Sequence, residues 1–184
     1  MVLKEIRIHG RGGQGAVTCS QVLAVAAFNE GKYCQAFPNF GVERRGAPVE
    51  AFARISDKPI NVRNHVYEPD YVIVLDPTLT ASVDVAAGLK KDGIILINSN
   101  KPSKEFKFCN EAKVFTVDMN KVAMEIIGKP FVNIIALGAF AALSGEVKLE
   151  SIFKAIEQEF SQKKDVGELN KKAAERLYKM VKGE

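Results

Sequence analysis

The stretch GRGGQGAVTCSQ, Gly10 to Gln21, constrains this chain more than any other, because it follows the strand-like run LKEIRIH and leads into a helical pattern. Leu3, Ile6 and Ile8 alternate with Lys4, Glu5 and Arg7 before the glycines, and Ala16 to Phe28 is small and apolar nearly all round afterwards. A helix of that kind presses against a sheet. A strand, a glycine turn and a helix in that order aim backbone N–H groups and the positive end of a helix dipole at one point, where an anion can sit. Glycine admits close approach and positive φ. The same spacing also serves a tight turn that binds nothing.

Gly10, Gly12 and Gly15 match G-x-G-x-x-G, the dinucleotide-binding spacing. A nicotinamide site also needs an acidic residue about twenty positions on, at the end of the second strand. Tyr33, Cys34, Gln35, Ala36 and Phe37 stand there instead; Glu30 comes too early, and Glu43 lies beyond the strand. An NAD(P)-binding protein is therefore the weaker alternative. Gln14 places a donor and an acceptor inside the turn, for a ligand or a neighbouring subunit.

Farther along, Tyr33–Phe37 reads as a strand ended by Pro38. Residues 38 to 48 form a loop carrying Arg44 and Arg45, and VEAFARI, Val49 to Ile55, alternates as a strand. YVIVL at 71 to 75 is a continuous apolar run of the kind buried on both faces of a parallel sheet. Asp76-Pro77-Thr78 is expected to open a helix reaching about Lys90, with Asp76 as its cap, before strands at Ile94–Ile97 and Val114–Val117. Helices are expected at Val122–Ile127, at Ile134–Leu143 capped by Asn133, through Ile152, Phe153, Ile156 and Phe160, and through Leu169, Ala173, Leu177 and Met180. The expected fold class is α/β: a three-layer sandwich with a parallel or mixed central sheet, a Rossmann-like start and a helical C-terminal third, as one domain over 1–184.

Composition narrows the functional classes. The 184 residues are 47% hydrophobic, enough for one substantial core. Twenty-six Lys and Arg against 22 Asp and Glu give +4 without a concentrated basic face, so nucleic acid is not an expected partner. The longest uncharged stretch, Pro130 to Gly145, is too short to span a bilayer, and no leader pattern opens the chain; a cytoplasmic location is expected. Cys19, Cys34 and Cys109 show no C-x-x-C spacing, and His9 and His65 lack a carboxylate pattern, so no metal site is expected. No nucleophile with a matching base emerges, and no catalytic residue is assigned.

In a parallel arrangement the ends of the first two strands share one edge, so the glycine turn and the Arg44–Arg45 pair should converge there. Arginine forks suit phosphate. The plainer alternative pairs Arg45 with Glu43 or Glu50 and leaves Arg44 solvated.

The combination of G-x-G-G-Q-G with F-P-x-F-G-x-E-R-R-G-A-P at 37–48, continued through YVIVLDPTL at 71–79 and the helix start at Asn133, closely resembles the gamma subunits of the 2-oxoacid:ferredoxin oxidoreductases, above all those of the pyruvate enzymes. The resemblance implies a subunit of an enzyme that converts pyruvate and coenzyme A to acetyl-CoA and CO2 while reducing ferredoxin. It implies alpha, beta and delta partner subunits, with thiamine diphosphate and iron–sulfur clusters held by those partners and no cofactor held tightly by this chain. The isolated chain would then be inactive. With coenzyme A as shared substrate, Gly12, Gly13, Gln14 and Gly15 are expected to approach one phosphate while Arg44 or Arg45 pairs with another. A purely structural subunit of a related 2-ketoisovalerate, 2-oxoglutarate or indolepyruvate enzyme, with these loops as interface contacts, is the alternative.

Overall fold

The computed structural model describes residues 3–39, 45–108 and 112–183. Its first strand, β1 (Lys4–Arg11), sends Ile6 and Ile8 to one face and Arg7 and His9 to the other. The turn then feeds α1 (Ala16–Phe28), and β2 (Tyr33–Pro38) and β3 (Pro48–Ser56) form an antiparallel pair. β4 (Tyr71–Val74), β5 (Ile94–Asn98) and β6 (Lys113–Val117) complete a six-stranded sheet in the order β2-β3-β1-β4-β5-β6. β3 pairs antiparallel with β1, Lys4 opposite Ile55 and Arg11 opposite Pro48; β4, β5 and β6 follow β1 in parallel. The sheet is mixed, and the α/β class is as expected.

The five α-helices among the described residues cover one face. α2 (Met119–Ile126), α3 (Ala136–Ser144), α4 (Leu149–Glu159) and α5 (Lys164–Lys182) join α1 over Ile6, Ile8, Ala51, Ala53, Ile73 and Leu96. Alanines on β3 let α1 approach the sheet closely, which is why α1 is buried on most sides. α3 packs against α5 at Gly138, where a Cβ would run into the backbone of Ala174.

The opposite face carries Val72, Val74, Ile95 and Ile97 beneath Leu79, Val85, Ala86 and Leu89. Here the expected helix from Asp76 to Lys90 is corrected. Only a short 3-10 turn forms, Pro77–Ala81, and the chain then runs irregularly. The cause lies on β1: the buried Arg7 guanidinium takes the carbonyls of Val85 (3.1 Å) and Ala87 (2.5 Å), acceptors a helix would have used for itself. The third layer is thus built from 3-10 turns and irregular chain. No helix among the described residues is long and apolar enough to cross a membrane.

Candidate functional site

The carboxyl ends of β1, β4 and β5 lie on one edge of the sheet, where open α/β sheets place ligands. Three segments meet there: the glycine turn, Asp76–Thr78, and the end of β5 at Asn98. Asn98 is buried, donating to the Leu75 carbonyl (2.9 Å) and accepting from the Met119 amide (3.0 Å), so it ties β5 to β4 and to the start of α2.

Asp76 is the hub of this edge. Its carboxylate accepts from the Thr78 amide (3.0 Å) and hydroxyl (2.6 Å), from Gln14 Nε2 (3.0 Å) and from Arg11 Nε (3.1 Å). Burial raises its pKa, but the hydrogen bonds from Thr78 and Gln14 and the Arg11 charge outweigh that and hold the carboxyl below its usual range. It caps the 3-10 turn, in keeping with the capping role expected of it. It also immobilises the glycine turn, since Gln14 Oε1 accepts from the Arg11 amide (2.7 Å) while its Nε2 is held by Asp76.

The predicted residues separate into distinct placements. Gly12 extends the β1–β3 ladder: its amide donates to Ala47 (2.8 Å) and its carbonyl accepts from Gly46 (3.0 Å). Gly13, at φ +94°, is in the left-handed region, and a Cβ built on it would lie 3.9 Å from Arg45 Cγ. Gly15 is the residue before α1, at φ +79°, and a Cβ there would collide with the Asn133 carboxamide. Gly15 has no side chain with which to cap α1, so the positive end of the helix opens at this turn. Arg45 is exposed, with no ion-pair partner among the described residues, whereas Glu50 faces His9 and accepts from Asn39 (3.1 Å). Arg44 and Glu43 lie outside the described residues, as does Cys109.

Asn133 does not cap α3, which starts at Ala136; its Nδ2 instead donates to the Gly15 carbonyl (3.3 Å). Gly13, Gln14, Gly15 and Thr18 line a cleft of about 930 Å³ together with Lys129, Phe131 and Asn133. A second cavity of about 620 Å³ shares Pro77, Thr78, Asn98 and Asn120 with it.

His9 was not anticipated as part of this edge. Its Nε2 accepts from Arg7 Nε (3.1 Å), which puts the proton on Nδ1, 3.5 Å from Glu50. Burial, aided by the Arg7 charge, pushes its pKa down to about 3, so the ring is neutral in the folded chain. Below the ordinary histidine pKa of about 6.5 the unfolded chain takes up a proton that the folded chain refuses. This contribution to stability is therefore complete above that pH and declines as the pH falls toward 3. We expect the urea midpoint to drop between pH 7 and pH 5 by more in the wild type than in His9→Asn; equal drops would contradict it. Cys19 is buried, with its thiol pushed up to about 12 by burial, and the half-buried Cys34 is raised for the same reason; neither is poised to react.

Comparison with known proteins gives a consistent picture. A family model described as pyruvate ferredoxin/flavodoxin oxidoreductase matches residues 5–180. The chain is 60% identical over 154 residues to the pyruvate synthase subunit PorC of Methanosarcina barkeri, covering 84% of this chain and 85% of that one. It is 55% identical over 177 residues to the pyruvate/ketoisovalerate oxidoreductases common subunit gamma of Thermococcus kodakarensis, covering 95% of each. The crystal structure of the pyruvate oxidoreductase subunit PORC from Thermotoga maritima is similar with a TM-score of 0.84 at 40% identity over 97% of both chains. A 2-oxoglutarate:ferredoxin oxidoreductase from Magnetococcus marinus, solved with 2-oxoglutarate, coenzyme A and succinyl-CoA bound, shares the fold at TM-score 0.82 and 18% identity, over all of this chain and 32% of that one.

Proposed function

Since the chain belongs to the pyruvate ferredoxin/flavodoxin oxidoreductase family as a gamma subunit, we propose that in its multi-subunit enzyme it presents the phosphates of coenzyme A to the reaction catalysed by its partners. The reaction of that assembly is the conversion of pyruvate and coenzyme A to acetyl-CoA and CO2 with reduction of ferredoxin. Alpha, beta and delta subunits hold the thiamine diphosphate and iron–sulfur clusters, which supply decarboxylation and electron transfer. This chain binds and orients the acyl acceptor.

The observation that carries the reading is the approach of Arg45 to Gly13 at the start of α1. A phosphate there meets main-chain amides, the positive end of a helix and a guanidinium fork that has no ion-pair partner of its own among the described residues. The Asp76 charge nearby is matched by Arg11. Gln14 contributes by stiffening the turn, because both ends of its carboxamide are engaged within the chain. An NAD(P) site is disfavoured by topology: the antiparallel β3 occupies the place beside β1 where a Rossmann fold puts its second parallel strand.

Substituting Arg44 and Arg45 together with alanine in the assembled enzyme tests this. A charge-assisted contact to phosphate predicts a Michaelis constant for coenzyme A raised roughly 10- to 100-fold with assembly intact. Loss of assembly with unchanged coenzyme A affinity would instead assign the arginines to the subunit interface.

A further inference from the structure

We infer that Asn39 and Glu50, backed by His9 and Arg7, are positioning residues that fix the segment carrying Arg44 and Arg45 against the sheet. The inference rests on the coenzyme A reading and adds the residues through which the arginines are placed; none of the four touches the ligand.

Asn39 precedes that segment and Gly46 follows it. The Gly46 end is tied to the glycine turn: its amide donates to the Gly12 carbonyl (3.0 Å), and its own carbonyl accepts from Arg11 Nη1 (3.1 Å). The Asn39 end is tied to β3 instead. Its amide donates to the Glu50 carbonyl (2.9 Å), and its Nδ2 donates to Glu50 Oε2 (3.1 Å). Glu50 Oε1 faces His9 Nδ1 at 3.5 Å, from the position directly opposite in the β1–β3 ladder. His9 Nε2 accepts from Arg7 Nε, and the Arg7 guanidinium in turn holds the Val85 and Ala87 carbonyls of the third layer. Arg7 and His9 are buried, so this row of bonds has little water to exchange with and carries the geometry of the interior out to Asn39.

Both carboxylate oxygens of Glu50 are engaged in this way, and no ion pair joins it to Arg45 among the described residues. The relay therefore anchors one end of the arginine segment and also withholds a nearby carboxylate from the guanidinium that a phosphate needs. Mere satisfaction of a buried histidine would leave coenzyme A affinity untouched.

The assembled enzyme tests the assignment. Asn39→Asp sets a second carboxylate against Glu50 and should raise the Michaelis constant for coenzyme A about tenfold, with kcat within about twofold of the wild type. Adding Glu50→Gln reverses the hydrogen bond: the new carboxamide donates to the new carboxylate while its oxygen accepts from His9 Nδ1, and the net charge is that of the wild type. The constant should then return to within about twofold of the wild-type value. Asn39→Ala should raise it about fivefold, and should add nothing once Arg44 and Arg45 are both alanine, because the relay acts through them. An unchanged constant in Asn39→Ala, a reversed pair no better than Asn39→Asp, or an effect of Asn39→Ala that persists without the arginines overturns the inference. If Asn39→Asp fails to assemble, Asn39→Ala and the arginine background carry the test; failed assembly of both single variants overturns the inference, since the relay then serves folding alone. Should the Asn39 variants be silent while the Arg44 and Arg45 substitution still raises the constant, only this assignment fails; if the arginine substitution is itself silent, the coenzyme A reading falls first.

Discussion

Arg54→Ala should lower the unfolding free energy by about 3–5 kcal/mol, the usual cost of removing one partner from a buried ion pair. In a chain of this size that corresponds to a fall in Tm of roughly 6–20 °C. Arg54 is fully buried, and its guanidinium reaches Glu5 (2.9 Å), Gln35 (3.3 Å) and the Asn64 carbonyl (2.8 Å) while lying 5.1 Å from the Phe37 ring centroid. One side chain therefore joins β3 to β1, to β2 and to the segment that covers them. Alanine leaves the Glu5 carboxylate with Lys90 at 3.8 Å as its remaining ion-pair partner among the described residues, and strips the Asn64 carbonyl of its donor. Combining the change with Glu5→Gln should restore part of the loss, since the stranded charge disappears. Equilibrium urea unfolding checks both; a loss below about 1 kcal/mol would show that Arg54 is not the tie described.

Gly138→Ala is the second large effect, and here two arguments oppose each other. Helix propensity alone favours alanine over glycine by about 1 kcal/mol. Packing opposes it: the added Cβ would lie 2.8 Å from the Ala174 Cα and closer still to its carbonyl, which is backbone and cannot swing aside. α3 and α5 must separate, at a cost of about 3 kcal/mol, the upper part of the range for overpacked cores. Packing wins, so Tm should fall. An unchanged or raised Tm would mean that the two helices do not meet at this glycine.

Much of the architecture was readable from residue patterns alone. YVIVL is a short β-branched apolar run of the kind a doubly buried strand carries and VEAFARI alternates as a strand does, and β4 and β3 form there. The Pro38–Pro48 loop announced the return that makes the sheet mixed. What escaped the pattern was decided at a distance. The stretch after Asp76 opens with a helix cap and the Pro that follows it, yet Arg7, about eighty positions earlier, takes its later carbonyls. Arg54 occupies the polar alternation of β3, which period two reads as solvent-facing; the backbone at Asn64 and His65 closes over it.

The site divides in the same way. The glycine spacing marked the turn, and the shared strand edge brought Arg45 to Gly13 as the parallel β1 and β2 required, although β3 lies between them. The work of Gln14 was hidden because its partner, Asp76, is 62 residues away, and Asn133 was read as a local cap when its bond crosses to Gly15.

We propose that the glycine turn and its neighbouring arginine hold a phosphate of coenzyme A within the assembled enzyme. A structure of that assembly with coenzyme A bound tests it directly. A pyrophosphate oxygen is expected within about 3 Å of the Gly13 amide or the first amides of α1, with the Arg45 guanidinium on the same group. Coenzyme A bound elsewhere, with the Gly13 turn packed against a partner subunit, would contradict it.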